Sequence, residues 1–241
     1  MGQSKEFKTT FKVHPQLTEE LGSYKYARSF EPLNEIINNS LDSKPRIIDI
    51  NVREDELVVT DDGIGMDRGV IIDKYLFISK PNLDETKRGM FGIGKFGCQA
   101  LSETTEVITR PANSDKYYQF TIHWRDVLKH ECIDDYEITI TENPKTDKAN
   151  GTTVRLKDLK REIDPGELRE YLEKKHYPLL LNPKNRTAII VNGKRCEVKE
   201  PEEAEVYVIN SEEPFELNGK SLPSFFDFGA VTGKAFFIKK R

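Results

Sequence analysis

Apolar residues recur along this chain in two rhythms. Between about Arg28 and Leu41, Leu33, Ile36, Ile37 and Leu41 fall at helical spacing, which predicts an amphipathic helix. Two β-rich runs follow, RIIDINVR and ELVVT, joined at the turn-like pair Glu54-Asp55. EVITR, KYYQFTIHW, YEITITE and TTVRLKDL have the same short, β-branched and aromatic character, as does a loosely alternating stretch at residues 6–13. GVIIDKYLF reads as a short helical stretch. SKPNLDETKRGM is polar and rich in breakers, and predicts a mobile segment. In FGIGKFGCQAL, glycines open a helix. Beyond Pro165, GELREYLEKKHY predicts a helix and TAIIVNGKRCEV a strand. Strands that mostly follow one another without intervening helices favour an antiparallel sheet. The expected architecture is an α/β two-layer sandwich, with a mixed, mostly antiparallel sheet and helices on one face.

Composition narrows the picture. The chain has 241 residues, 32% of them charged and 37% hydrophobic, which suits a solvated surface around a substantial core. No apolar run approaches the roughly 18 to 20 residues of a membrane span, and MGQSKEFKTTFKV has no apolar secretory core. The net charge of −4 argues against a strongly electrostatic nucleic-acid binder. Cys98, Cys132 and Cys196 are too few and too scattered for a disulfide framework or a zinc site, which implies a reducing, cytoplasmic setting. His123 and His130 read as surface imidazoles. The stretch 199–205, KEPEEAE, reads as a linker. The last residues end just after an apolar strand, as a piece of a longer protein would.

Four segments carry candidate chemistry. Glu35, Asn39 and Asp42 stand at i, i+4 and i+7, so they share a helix face. A carboxylate there can activate water and an amide oxygen can ligate magnesium, although a solvated polar face would look the same. Asp61-Asp62-Gly63-Ile64-Gly65-Met66 follows an apolar strand. An ionised Asp accepts hydrogen bonds only and suits an exocyclic amine, glycines admit a flat ligand, and Met adapts to it. A plain hairpin turn is the competing explanation. Gly89 to Gly97 holds glycines at 89, 92, 94 and 97 before a helix, an arrangement that cradles anions. It is no P-loop, because Phe96 stands where Ser or Thr is required. It is no dinucleotide fingerprint either, because no strand precedes it. Gly151-Thr152-Thr153-Val154 is a commonplace entry to a strand.

Taken in order, these segments resemble the GHKL superfamily of gyrase-type topoisomerases, large heat-shock chaperones, histidine kinases and MutL-type repair proteins. EIINNSLDS resembles its N-box, DDGIGM its D-x-G-x-G box, GMFGIGKFG its glycine-rich lid segment and GTTVRLKDL its fourth box. DDGIGM is also similar to the box of microrchidia-type ATPases. The resemblance spans residues 35–158. It implies an ATP site in which Glu35 aligns the attacking water and Asn39 ligates magnesium. Asp61 receives the adenine amine, Gly65 and Met66 line the base, Asp42 shapes the base and ribose side, and Thr152 supports Asp61 through water. Gly92, Ile93, Gly94, Lys95, Phe96 and Gly97 surround the phosphates, and Lys80, in a Ser-Lys pair similar to that of MutL, reaches the terminal one. Ser43 departs from the alanine common in the family and adds a hydroxyl near the base.

The implied activity is hydrolysis of Mg-ATP with water as nucleophile, gated by a lid at about 67–98 and by homodimerisation, within a larger chaperone-like or DNA-transaction protein that engages a client protein or DNA. A non-hydrolysing nucleotide sensor and a kinase-type phosphotransfer domain stand as alternatives. The kinase reading lacks an acceptor helix with His followed by an acidic residue. The ATP domain is expected over 1–198, and 199–241 as a linker and the start of a transducer-like domain.

Overall fold

A computed structural model describes residues 14–17, 30–77, 95–145, 149–182 and 186–198, and the backbone of four strands within 204–238; side chains of Lys95 and Phe96 are not described. The chain divides into two compact units, 1–198 and 199–241.

The first unit is built on an eight-stranded sheet. Its strands are β1 (Ile47–Val52), β2 (Glu56–Asp61), β3 (Ser102–Arg110), β4 (Lys116–His123), β5 (Thr141–Pro144), β6 (Gly151–Leu159), β7 (Ala188–Val191) and β8 (Lys194–Arg195). Their order is β5-β4-β3-β6-β2-β1-β7-β8. Every neighbouring pair is antiparallel except β1 with β7, which run parallel. The sheet is therefore mixed and mostly antiparallel, as the sequence pattern implies.

Alternation along each strand gives the sheet two unlike faces. Ile50, Val59, Val154, Val107 and Phe120 pair in register across five strands, and all are buried. Their neighbours point to the other side. There Glu106 accepts from Arg155 Nη1 at 2.7 Å and Gln119 Nε2 at 2.9 Å, and Lys157 Nζ lies 3.1 Å away. Burial pushes the Glu106 carboxyl up, but Lys157 and Arg155 outweigh it and hold the group below its usual range.

The apolar face is covered by helices. Helix α1 (Glu31–Asp42) has Pro32 in its first turn, where a missing N–H costs nothing. It buries Leu33, Ile36 and Ile37. Its partners are α3 (Lys95–Leu101) and α5 (Pro165–Lys175), the latter capped by Asp164, whose Oδ1 accepts from Glu167 N at 2.8 Å. Leu101, Leu168 and Leu172 from these helices join α1 and the buried strand residues in one core cluster. Three smaller elements complete the unit. Helix α2 (Arg68–Val70) runs into a π-helical turn at Ile71–Tyr75, α4 (Trp124–Val127) follows β4, and α6 (Tyr177–Leu181) follows α5.

Two strand expectations change. Tyr136–Ile140 does not form a strand; regular pairing begins only at Thr141, opposite Gln119. Ile138 and Ile140 pack against the core, and the N–H of His123 is bound by the Tyr136 hydroxyl at 3.1 Å, so side-chain burial and a phenol replace the ladder. TAIIVNGKRCEV is a hairpin, not one strand. Asn192 (φ 44°) and Gly193 (φ 75°) both take positive φ and form the tight turn between β7 and β8. The 6–13 stretch lies outside the described residues.

The second unit holds two ladders: β9 (Ala204–Ile209) against β12 (Gly233–Ile238), and β10 (Glu216–Leu217) against β11 (Lys220–Ser221), both antiparallel.

Leu156 is fully buried on β6, between Leu57 and Thr105. Leu156→Ala is expected to cost about 2–5 kcal/mol in stability, read from the midpoint of urea unfolding.

Candidate functional site

On the helical side of the sheet lies a small, partly open cavity. Ile36, Asn39, Ser40 and Ser43 reach it from α1, at i, i+3, i+4 and i+7 of one helix face. Met66, Tyr75, Cys98 and Val154 give it largely apolar walls, and Asp61 and Thr152 stand at the strand ends below. A slot with apolar walls and a few fixed polar groups suits a flat heteroaromatic ligand.

Asp61 is the chemical centre of the slot. Its side chain is on the buried face of the sheet and the residue is only 4% exposed. Ser40 Oγ donates to Oδ2 at 3.0 Å, while the Gly63 N–H, at 2.9 Å, donates to Oδ1. Ser43 Oγ also lies 3.0 Å from Oδ1 and 2.7 Å from the Ser40 carbonyl, so its single proton has two acceptors. Burial pushes the Asp61 carboxyl above its ordinary 3.8; Gly63, Ser40, Ser43 and the Thr152 backbone pull it back without cancelling the rise. A buried, donor-supported carboxylate has acceptor capacity left for a ligand N–H.

The loop after β2 is held in shape from several sides. Gly65 sits at φ +65°, and a Cβ there would stand 2.2 Å from the Arg110 carbonyl oxygen. The Met66 N–H donates to Thr109 Oγ1 at 2.8 Å. Thr109 Oγ1 in turn lies 3.0 Å from Thr152 Oγ1. The Ala112 N–H donates to the Ile64 carbonyl at 2.9 Å, and the Asn150 amide donates to the Gly63 carbonyl. Thr152 thus meets Asp61 through its backbone and Thr109 through its hydroxyl. Thr109 and Tyr75 stand at the cavity or behind it from outside the sequence motifs, and Ser40 lies within EIINNSLDS without a role assigned to it from sequence.

The residues expected from sequence divide into three groups. Asn39, Asp61, Gly65, Met66 and Thr152 come together around the cavity. Glu35 and Asp42 are half-buried on α1, outside its lining, with Glu35 one turn before Asn39. Gly97 lies where α3 crosses α1, and a Cβ on it would be 2.9 Å from Pro32 Cβ, so it permits close helix packing. Lys80, Gly92, Ile93 and Gly94, with most of the expected lid, lie outside the described residues, as do the side chains of Lys95 and Phe96.

Among the described residues, no three His, Cys, Asp or Glu side chains cluster as metal ligands. The exposed Asn39 amide at the cavity is a hard oxygen donor. That donor set fits magnesium held mainly by phosphate oxygens and water.

A half-covered sheet with an acceptor-only carboxylate at the base of an apolar slot defines a nucleotide-binding domain. The family model of the histidine kinase-, DNA gyrase B- and HSP90-like ATPases matches residues 27–155, more than half of the chain, and the chain belongs to that family. It is an ATP-binding domain of the GHKL class. No curated protein matches its sequence.

Thr109→Val keeps the shape but strands the Met66 N–H and the Thr152 hydroxyl. It is expected to cost about 1–3 kcal/mol and to weaken ATP-analogue binding, measured by thermal unfolding and fluorescence titration. Asp61 should also give binding a pH dependence. Its folded-state pKa is raised, so its contribution to folding is present below the unfolded value and lost as pH rises through the folded one. The ionised form that accepts a ligand N–H disappears in the other direction. Affinity for adenosine, which has no phosphate to titrate, is expected to fall as pH drops through that raised pKa, followed by calorimetry at fixed ionic strength.

Proposed function

We propose that this domain hydrolyses ATP with water as nucleophile and serves as the nucleotide-gated switch of a larger, cytoplasmic assembly. The observation that carries this reading is the order of polar groups along α1. Ser43 and Ser40 hold Asp61 at the deep end, Asn39 follows at the mouth, and Glu35 comes one turn later. From Ser43 to Glu35 the helix rises about 12 Å. A ligand whose amine meets Asp61 would therefore run its polar end toward Asn39 and Glu35.

Asp61 takes the exocyclic amine of adenine, and Met66 and Gly65 border the ring. Thr109 and Thr152 keep the loop and the carboxylate in register. Magnesium, held by the Asn39 amide oxygen and by phosphate oxygens, would neutralise charge on the triphosphate. Glu35 accepts a hydrogen bond from the attacking water, orients it in line with the γ-phosphorus and takes its proton as the new P–O bond forms and the bond to the β,γ-bridging oxygen breaks, with ADP as the leaving group. Gly92, Ile93, Gly94, Lys95, Phe96, Gly97 and Lys80 belong to the phosphate end, and Asp42 to the base and ribose side. The lid at about 67–98 orders with the γ-phosphate and couples turnover to homodimerisation. Its client, a protein or DNA, is engaged through regions outside this chain.

Phosphate release from Mg-ATP, measured over a range of protein concentrations, tests the proposal. Glu35→Gln is expected to bind a fluorescent ATP analogue as the wild type does while losing release by at least about a hundredfold. Asp61→Asn is expected to lose binding itself. Specific activity that rises with protein concentration marks dimer gating. Binding without release at every concentration would replace hydrolysis with nucleotide sensing.

A further inference from the structure

The Ser43 hydroxyl oxygen is held in place, but its proton is not. The oxygen lies 2.7 Å from the Ser40 carbonyl and 3.0 Å from Asp61 Oδ1. Both acceptors already have backbone donors. The Ser43 N–H reaches the Ser40 carbonyl at 3.0 Å, and the Gly63 N–H reaches Asp61 Oδ1 at 2.9 Å. Neither oxygen is therefore stranded if the hydroxyl turns elsewhere. The oxygen itself is lodged against the loop after β2. A Cβ on Gly63 would stand 1.7 Å from Ser43 Oγ, so glycine there leaves the hydroxyl its room. Ser43 lines the slot beside Asp61. The Ser40 hydroxyl, by contrast, is committed to Asp61 Oδ2 at 3.0 Å. A hydroxyl with a fixed oxygen and a rotatable proton offers that proton to an acceptor entering the slot.

We propose that Ser43 is a specificity-determining residue of the slot: its hydroxyl donates to the ring nitrogen beside the exocyclic amine, while Asp61 Oδ1 accepts from that amine. The proposal rests on Asp61 taking the amine of the base. An acceptor and a donor 3.0 Å apart match the edge of a 6-aminopurine, which offers an N–H and a neighbouring ring lone pair side by side. A 6-oxopurine sets a carbonyl against the carboxylate, and its ring N–H removes the lone pair that the hydroxyl would serve. Asp61 alone reads one position of the base; with Ser43 the slot reads two. No proton changes owner. The hydroxyl rotates from its present acceptors to the ring nitrogen, and both acceptors keep their backbone donors.

The test is calorimetric binding of three probes to the full chain, as wild type and as Ser43→Ala. The probes are ADP, 1-deaza-ADP, which lacks the ring nitrogen, and purine riboside diphosphate, which lacks the amine. Wild type is expected to prefer ADP over 1-deaza-ADP about tenfold, the worth of one hydrogen bond. In Ser43→Ala that preference is expected to vanish, because ADP weakens while 1-deaza-ADP binds as before. The preference for ADP over the purine riboside diphosphate is expected in both proteins. Equal wild-type affinity for ADP and 1-deaza-ADP overturns the proposal without any variant. An undiminished preference in Ser43→Ala also overturns it, and passes the ring nitrogen to another hydroxyl of the lining, that of Thr152. Equal weakening of ADP and 1-deaza-ADP in Ser43→Ala overturns it too, since that marks a packing role. In all three cases the loss on removing the amine still stands, and Asp61 keeps its part. If the purine riboside diphosphate binds wild type as tightly as ADP, or ADP does not bind at all, the Asp61 reading fails and this proposal fails with it.

Discussion

A carboxylate buried beneath a helix organises this domain. Asp61 ends β2 on the face of the sheet that is otherwise apolar, where an isolated charge would be costly. It is tolerated because Ser40 and Ser43 come down from α1 onto its two oxygens and Gly63 closes the turn beneath it. Those contacts fix how α1 lies across the sheet. They also decide the rotation of α1, hence which way Asn39 and Glu35 point. The same group that would read the ligand therefore sets the frame for the groups that would act on it. Its raised pKa records that the donors do not fully offset burial, which leaves the site with something to gain from a ligand N–H.

The two faces of the sheet divide the labour. The buried face carries the core and, at one end of β2, β3 and β6, the polar cluster of Asp61, Thr109 and Thr152. The other face is stitched by Glu106, Arg155, Lys157 and Gln119 across neighbouring strands. Cross-strand pairs of this sort hold register. Register matters here because a slip of one residue would carry Thr152 to the far side of the sheet. Packing on one face and ion pairing on the other thus keep one small polar corner in place.

What could be read from the sequence follows from distance along the chain. Asp61, Gly65 and Met66 were legible because one loop contains them, and Asn39 because one helix face presents it. Thr109 was not, because it meets Thr152 only through the β3–β6 ladder, 43 residues apart. Ser40 lies inside a recognisable motif, but its bond to Asp61 needs the helix set on the sheet. Strand patterning located β1, β2, β4 and β6 well. It failed at Tyr136–Ile140, where Ile138 and Ile140 alternate like a strand for the sake of burial alone. It also ran β7 and β8 together, although Asn192-Gly193 is a strong local turn signal.

The parallel pairing of β1 with β7 bears on how the protein is made. β2 gains its second neighbour only when β6 has been synthesised, and β1 waits for β7, whose residues Ala188–Val191 come roughly 140 positions later. At about 5–20 residues per second on the ribosome, α1 and its two strands emerge many seconds before the sheet can close around them. During that interval the apolar face of β1 and β2 has α1 as its early cover, and Asp61 has no Thr152 beside it. The pocket waits for β6 to bring Thr152 and Val154, and the nascent chain depends meanwhile on the local pairing of α1, β1 and β2 to keep a sticky edge from finding other partners.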